Sequence, residues 1–520
     1  MDTTMLNVKS AEFSHIDLLN PAPSLKHIAF NFTNRCNLRC VYCPQGTHPE
    51  SFHAESSDDQ IRKIVDYVRS HDIERIDIGY YGETLLVQGW EDHCRPLLDQ
   101  GLYITLVSSF SRILKPEEVE VVARFSELQM SIDTIDIQLL KQIRKAVDAR
   151  TILYNTHLVR SYVLANDLPM PKIVWTGVLT DQIVSGIPDL VAMAVSSGIR
   201  SINFNDVAYF EGTSGVARSI YDMEPQDFIQ AAGTLERARR LAVRHGVELS
   251  IGGTQRVERR LIEDYGIERY VELTRKLSSF DDLDPARPVY IYGAGEAGRT
   301  LRNWLRAHPE LRFAGYIDSA RSGAVDNEVV LKFDDYKAQP DDGGQIVIGS
   351  MHENEIERRL IDAGVVTYWR GYNFFQDGGA PKIAGAQPSA DIVRSGIQGK
   401  FVMPGDVMDD VPPGMTRMCE APWAEIYFDP KGEAYSCCQR GLVMGKLENG
   451  VSIDDIIGSD AYRRLRQQLL TGQDLDSECL RCTGRQAVPV ERMRDHILGL
   501  MNADARKAAG AAGAPHRDRD

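Results

Sequence analysis

Eight residues constrain this chain more than any other stretch. Cys36-Asn-Leu-Arg-Cys-Val-Tyr-Cys43 is a C-x3-C-x2-C run. It follows closely on an apolar segment, residues 27–33, that alternates with the period of a strand. Three thiolates crowded into one loop suit a soft metal centre. An iron–sulfur cube takes four ligands, so three protein thiolates leave one iron open to a small molecule. A structural zinc knot, or three unrelated thiols, is the alternative, although zinc sites usually pair a C-x2-C with a distant second pair.

The other cysteines point the same way. Of nine, seven fall in the short-spaced groups Cys36/Cys40/Cys43, Cys437/Cys438 and Cys479/Cys482, while Cys94 and Cys419 stand alone. Thiols grouped in this way read as metal sites in a reducing compartment, not as disulfides. No run of eighteen apolar residues occurs, and the N-terminus lacks a secretory signal, so the expectation is a cytoplasmic protein with no membrane partner. A net charge of −15 argues against a nucleic-acid backbone as the main partner, because no basic surplus exists to displace counterions. At 520 residues, about two to four domains are expected.

From residue 27 onward, strands and helices alternate. Strands are expected at 27–33, 75–80, 103–109, 128–133, 172–180 and 201–207. Helices are expected at 58–71, 88–100, 116–125, 136–145, 187–197 and 226–245, the first with Ile61, Ile64, Val65 and Val68 on one side. The stretch between 145 and 172 is less regular, and the helix at 226–245 closes the series. Residues 1–25 read as a leader. Six βα units in succession argue for an α/β fold with a parallel sheet and right-handed crossovers. Periodicity alone leaves open whether that sheet is flat or curved.

With Tyr42 in its aromatic slot, the cysteine run resembles the radical S-adenosylmethionine (SAM) superfamily, whose signature is C-x3-C-x-aromatic-C. The resemblance implies a partial (β/α)6 barrel over residues 26–278 and a 4Fe–4S cluster on Cys36, Cys40 and Cys43. It also implies SAM chelated to the open iron and cleaved by a cluster electron to a 5′-deoxyadenosyl radical. Tyr80-Tyr-Gly-Glu-Thr-Leu-Leu86 is similar to the family's Gly-Gly-Glu motif, which makes Glu83 the expected partner of the SAM amine, a charge-assisted bond at a strand's C-terminal end. Thr84 stands where proline is usual and Tyr81 where glycine is common. In Gln129-Met-Ser-Ile-Asp133 and the helix after it, Ser131 and Arg144 match the family's Ser-x-Asp serine and its carboxylate-binding arginine. Taken without the resemblance, Asp133 reads equally as a helix cap and Arg144 as a solvated charge. Asn203 and Asn205 are expected near the adenosine or the substrate.

A charged linker, 279–287, leads into a second unit, residues 286–378. An apolar strand runs into Gly293-Ala-Gly-Glu-Ala-Gly298, which opens an amphipathic helix, and a following strand ends in Asp318. This is the dinucleotide fingerprint in its proper setting, with Gly293, Gly295 and Gly298 for the turn and Asp318 for ribose hydroxyls. The segment resembles the small Rossmann-like modules attached to sugar-modifying enzymes, which implies a nucleotide there. At about ninety residues it lacks the second half of a full site, so an empty or repurposed loop stays open.

The third unit spans 415–500. Cys419-Glu-Ala-Pro-Trp423 precedes a hairpin at 426–436 with its turn at 429–432. Cys437-Cys438, a helix near 461–470 and Cys479-Leu-Arg-Cys482 follow. A single, a doublet and a C-x2-C pair complete one four-thiolate set, for which zinc competes with iron. This unit resembles the cysteine-rich SPASM domain and implies one auxiliary 4Fe–4S cluster on Cys419, Cys437 or Cys438, Cys479 and Cys482, with Cys437 favoured because it follows the hairpin strand. The tail, 501–520, reads as disordered. Together the resemblances imply an enzyme that abstracts a hydrogen atom from a small-molecule substrate, sugar- or nucleotide-linked compounds among them. It would be reduced by a donor such as a flavodoxin or ferredoxin. The alternatives are a maturase of a ribosomally made peptide and, from a different class, a non-catalytic nucleotide-binding scaffold or redox sensor.

Overall fold

The computed structural model describes residues 17–20, 25–145, 147–207, 217–252, 254–372, 411–437, 442–480 and 487–512. Seven parallel strands follow one another in chain order across the main sheet: β1 (His27–Phe30), β2 (Arg75–Ile78), β3 (Tyr103–Ser108), β4 (Glu127–Ser131), β5 (Lys172–Leu179), β6 (Ser201–Asp206) and β7 (Glu248–Ile251). Together with the helices between them they form a partial barrel. The expected series stops one strand short. The helix Pro225–His245 does not close it, because the chain turns through left-handed Gly246 and adds β7 beside β6. Four residues with little apolar alternation carry too weak a period to be seen. The stretch read as irregular is a helix, Ala149–Ala165, whose buried Asn155 and Thr156 interrupt its apolar side. Asn155 donates its Nδ2–H to the carbonyls of Phe110 and Arg112 and accepts from the Leu114 N–H, fixing the loop after β3.

Strand side chains alternate between two faces. On one face Ile28, Ile76, Ile104, Leu128 and Ile173 join the apolar stripes of the helices in a single core. On the inner face the paired rows are polar. Ser131, Thr176, Asn203 and Ser250 lie side by side across four strands.

The second sheet comprises β8 (Val289–Tyr292), β9 (Phe313–Asp318), β10 (Gly323–Val325), β11 (Glu328–Lys332), β12 (Gln345–Ile348) and β13 (Tyr368–Arg370), in the order β10-β11-β9-β8-β12-β13. All neighbours are parallel except β10. In chain order the parallel strands run 3-2-1-4-5, the doubly wound arrangement, and the order reverses between β8 and β12. The expected lack of a second half is therefore only partial, since β12 and β13 extend the sheet past the reversal. The supposed linker is also packed, with Phe280 and Leu283 buried in this unit's core.

A buried charge network joins the two bodies. Arg239, on the barrel helix Pro225–His245, pairs with Glu236 and with fully buried Glu357 of the helix Glu353–Asp362. Tyr368 donates to the same carboxylate. Burial alone would raise Glu357, but these partners hold it below the usual carboxylate range.

Gly298 shows how closely the second unit's first helix meets its strand. A Cβ there would sit 1.8 Å from the Gly293 carbonyl oxygen, a backbone atom that cannot swing aside. Gly298→Ala is expected to cost about 1–3 kcal/mol as overpacking. Faster amide exchange over residues 289–318, with barrel amides unchanged, is the expected readout, and unchanged exchange there would contradict the packing argument.

The third unit adds β14 (Met415–Arg417), β15 (Glu425–Phe428), β16 (Glu433–Tyr435), β17 (Val443–Lys446) and β18 (Ala487–Pro489). β14 and β18 form a separate antiparallel ribbon. β15 pairs in parallel with β1, His27 opposite Glu425 through Phe30 opposite Phe428, so the hairpin β15–β16 together with β17 extends the barrel sheet to ten strands. The N-terminal residues that are described are stitched to this unit, since Trp423 donates to the Leu18 carbonyl and buried Arg466 to those of Leu19 and Pro422. Among the described residues no helix is long and apolar enough to cross a membrane.

Candidate functional site

The cysteine loop is pinned at the end of the helix Ile137–Arg144. The N–H groups of Arg39 and Val41 donate to the carbonyls of Arg144 (3.4 Å) and Ile143 (2.9 Å), which have no partner within their own helix. Cys40 is buried and Cys36 and Cys43 are half-buried, and among the described residues no cysteine forms a disulfide. Burial pushes the Cys36 thiol up to about 11, partly offset by the Leu38 N–H, and Cys40 up to about 12. It also raises Cys43. The charges of Glu83, Cys43 and Arg144 all act on the Cys36 thiol. Thiols raised in this way become anionic ligands only when a metal centre takes the place of their protons. Among the described residues no three His, Cys, Asp or Glu side chains converge closely enough to hold a metal ion. A cube, by contrast, spreads its protein ligands over separate irons, so the donor set fits a cluster.

Arg144 is neither solvated nor exposed. Its Nε and Nη2 bind the two oxygens of buried Asp133 at 2.6 and 3.0 Å. Tyr42 donates its hydroxyl to the same carboxylate at 2.9 Å, and the Val178 N–H donates at 2.8 Å. Burial opposes the guanidinium charge, yet Asp133 keeps the Arg144 pKa well above its ordinary value. Asp133 therefore does not cap the helix after β4, a role taken by Asp136. The aromatic slot in the cysteine run thus acquires a physical meaning, because the Tyr42 ring lies 5.7 Å from the Arg144 guanidinium and its hydroxyl shares that residue's counterion.

Glu83 is 2% exposed and engaged at both oxygens. One accepts from the Leu85 N–H (3.1 Å) and Ser108 Oγ (2.7 Å), and the other from the Ser109 N–H (2.9 Å) and Ser109 Oγ. The Ser109 hydroxyl has a second partner in Ser111 Oγ at 3.0 Å. The Glu83 N–H donates to the Arg35 carbonyl, tying the loop after β2 to the residue before Cys36. Gly82, at φ +82°, lies against that same segment, and a Cβ would meet the Thr33 oxygen at 2.2 Å. Thr84, in the usual proline position, begins a single 3-10 turn capped by Glu83.

Ser131 is half-buried in the inner-face row with Thr176 and Asn203, and Asn205 lies opposite Val178. Toward the hairpin the inner face turns aromatic. Tyr427 stands opposite Ala29, its ring 5.8 Å from Tyr80 and 6.3 Å from Tyr81, and Asn31 donates to its hydroxyl. No local pattern in the sequence points to this aromatic group, because it depends on the pairing of β1 with β15.

In the second unit the glycine turn lies between β8 and the helix Glu296–Leu305. Gly295 faces open space, whereas the Ala294 N–H is already bound to Asp318 Oδ2 at 3.3 Å. Asp318 Oδ1 accepts from the Ala320 and Arg321 N–H groups, so this carboxylate braces its own loop. In the third unit Cys419 follows β14, and Arg417 holds the carbonyls of Cys479 and Leu480 at 3.1 and 2.6 Å, drawing the Cys419 and Cys479 segments together. Cys437 follows the hairpin strand and its charge reaches buried Tyr462. Cys438 and Cys482 lie outside the described residues.

Comparison with known proteins defines the class. Residues 30–166 match the Radical SAM superfamily, and residues 419–483 match SPASM, an iron–sulfur cluster-binding domain. The chain carries a radical SAM domain and a SPASM domain, and these domains imply a 4Fe–4S cluster, SAM and auxiliary iron–sulfur. Among solved structures, Streptococcus suis SuiB bound to S-adenosylmethionine is similar at 12% identity and TM-score 0.42, covering 88% of this chain and 71% of that one. The anSMEcpe structure with bound AdoMet matches at 15% identity and TM-score 0.35, over 44% of this chain and 63% of that one. Coproporphyrinogen III oxidase (HemN) from Escherichia coli matches at 10% identity and TM-score 0.30, over 41% and 52%. No curated protein matches the sequence.

Proposed function

We propose that the chain cleaves SAM reductively and abstracts a hydrogen atom from a polar small molecule held on the inner face of the barrel. The observation that carries this reading is the grouping of Cys36, Cys40 and Cys43 on one loop that is hydrogen-bonded to the carbonyls of Ile143 and Arg144 and, through Arg35, to the Glu83 N–H. The three cysteines would hold a 4Fe–4S cluster with one iron left for SAM. When bound, that cluster and SAM supply the one-electron cleavage that yields the 5′-deoxyadenosyl radical.

The protein's own groups bind and orient. Arg144, fixed by Asp133, would supply a buried positive charge for the SAM carboxylate, and Ser131 would bind SAM from the inner face. Glu83 would hold the SAM amine, and of its donors the Ser109 hydroxyl has an alternative partner in Ser111 Oγ. Cys419, Cys437 or Cys438, Cys479 and Cys482 are assigned to an auxiliary 4Fe–4S cluster. The uncharged Thr176, Asn203 and Asn205 suit a substrate rich in hydroxyl or amide groups, and Gly295 is the open position for a nucleotide-linked portion in the second unit. An external one-electron donor of the flavodoxin or ferredoxin class completes the system.

Reconstituted, reduced protein is expected to contain about eight irons per chain and to form 5′-deoxyadenosine from SAM. Four irons with one zinc would remove the auxiliary cluster from the assignment. Deuterium transfer into 5′-deoxyadenosine then separates substrate classes. Transfer from a deuterated amino sugar or aminocyclitol supports the small-molecule reading. Transfer from a ribosomally made peptide supports the maturase reading, which a radical SAM enzyme with a SPASM domain accommodates equally.

A further inference from the structure

Gln45 lies two residues beyond Cys43 and is 4% exposed. Its Oε1 accepts from the Cys43 thiol at 2.8 Å, while its Nε2 is buried with no hydrogen-bond partner. A buried amide donor left bare costs about 1–3 kcal/mol. The arrangement suits a protonated thiol and nothing else. Once the sulfur is a metal-bound thiolate it has no proton to give, and an amide oxygen at that distance would face a sulfur lone pair. A half-turn about the terminal torsion, which is broad and two-fold, exchanges oxygen and nitrogen with almost no movement of heavy atoms. The unpaired N–H then points at the sulfur.

We propose that Gln45 donates its side-chain N–H to the Cys43 sulfur in the cluster-loaded protein and thereby holds the cluster's reduction potential up. Hydrogen bonds to cluster sulfurs favour the more negative, reduced state, and outer partners of metal ligands tune the centre in this way. The proposal rests on the reading that Cys36, Cys40 and Cys43 carry a 4Fe–4S cluster. Gln45 is a positioning residue, because it acts through a ligand.

The test uses the full chain, reconstituted anaerobically and titrated with titanium(III) citrate, each Ti(III) giving one electron to one cluster. Paramagnetic resonance follows the reduced state. The signal of the Cys36→Ala/Cys40→Ala/Cys43→Ala variant is subtracted, so that only the cluster on this loop is read. Gln45→Leu, which lacks the donor, is expected to shift the midpoint to more negative potential. Gln45→Glu is expected to shift it further, because it also adds negative charge. In wild-type protein labelled with 15N in the glutamine side chain, a nitrogen coupling to the reduced cluster is expected. Equal midpoints in variants that load equal iron would overturn the proposal. Absence of the 15N coupling would overturn it as well, and that measurement needs no variant. If instead the triple cysteine variant holds as much iron as wild type, the cluster assignment itself fails, independently of Gln45.

Discussion

Alanine at any one of Cys36, Cys40 or Cys43 is expected to abolish formation of 5′-deoxyadenosine by reduced, iron-reconstituted protein. Each thiol would be one of only three protein ligands to a cube, and removing one leaves two irons without a protein ligand where a single open iron is required. Among the described residues the two nearest carboxylates are already engaged. Asp133 is taken by Arg144 and Tyr42, and Glu83 is filled at both oxygens. Cys94 provides the control. It is fully buried in the main core, on the helix Trp90–Leu98, and burial pushes its thiol far up. Cys94→Ala is expected to retain SAM cleavage and to lose only packing. Residual 5′-deoxyadenosine above a few per cent of wild type in any of the three loop variants would remove the cluster from this loop.

The second large effect concerns Asp133. Asp133→Ala removes the only carboxylate paired with Arg144 among the described residues and leaves a buried guanidinium uncompensated, a change that costs about 3–5 kcal/mol. The Tyr42 hydroxyl and the Val178 N–H lose their acceptor at the same time. The damage should spread to the cysteine loop, since the carbonyls of Ile143 and Arg144 receive the N–H groups of Val41 and Arg39. Lower iron loading is therefore expected together with a lower urea midpoint. Tyr42→Phe, which deletes one hydrogen bond, should cost about 1 kcal/mol. Adding Arg144→Met to Asp133→Ala should recover part of the loss, because the lone charge is gone. An Asp133→Ala protein as stable as wild type would mean that Arg144 finds another partner.

What could be read from the sequence was what is written locally. The three cysteines, the aromatic between them, the Gly-Glu pair and the glycine turn after β8 each lie within about eight residues, and the βα alternation has strong periods. The helix Ala149–Ala165 escaped because Asn155 and Thr156, polar by type, are buried to serve a loop, which breaks the apolar stripe that marks a helix. β7, β10 and β13 have only three or four residues each, too few to show a period. Arg144 was ambiguous for another reason. Nothing local distinguishes a solvated arginine from a buried one when its partner, Asp133, could itself be a cap. The filling of Glu83 by Ser108 and Ser109 depends on two strands meeting edge to edge, and no single segment reports it.

The pairing of β1 with β15 also bears on how the protein is made. The first strand of the barrel to leave the ribosome has one edge that is completed only by residues emerging nearly four hundred positions later. At ordinary rates of synthesis that interval is on the order of tens of seconds. Throughout it, the backbone donors and acceptors of β1 on that side lack their strand, a state prone to mispairing. The cysteines lie just beyond this strand, so their loop takes shape against residues 83 and 143–144 while the outer edge of β1 is still open. A nascent chain halted before residue 425 should therefore expose the outer edge of β1 and engage chaperones there.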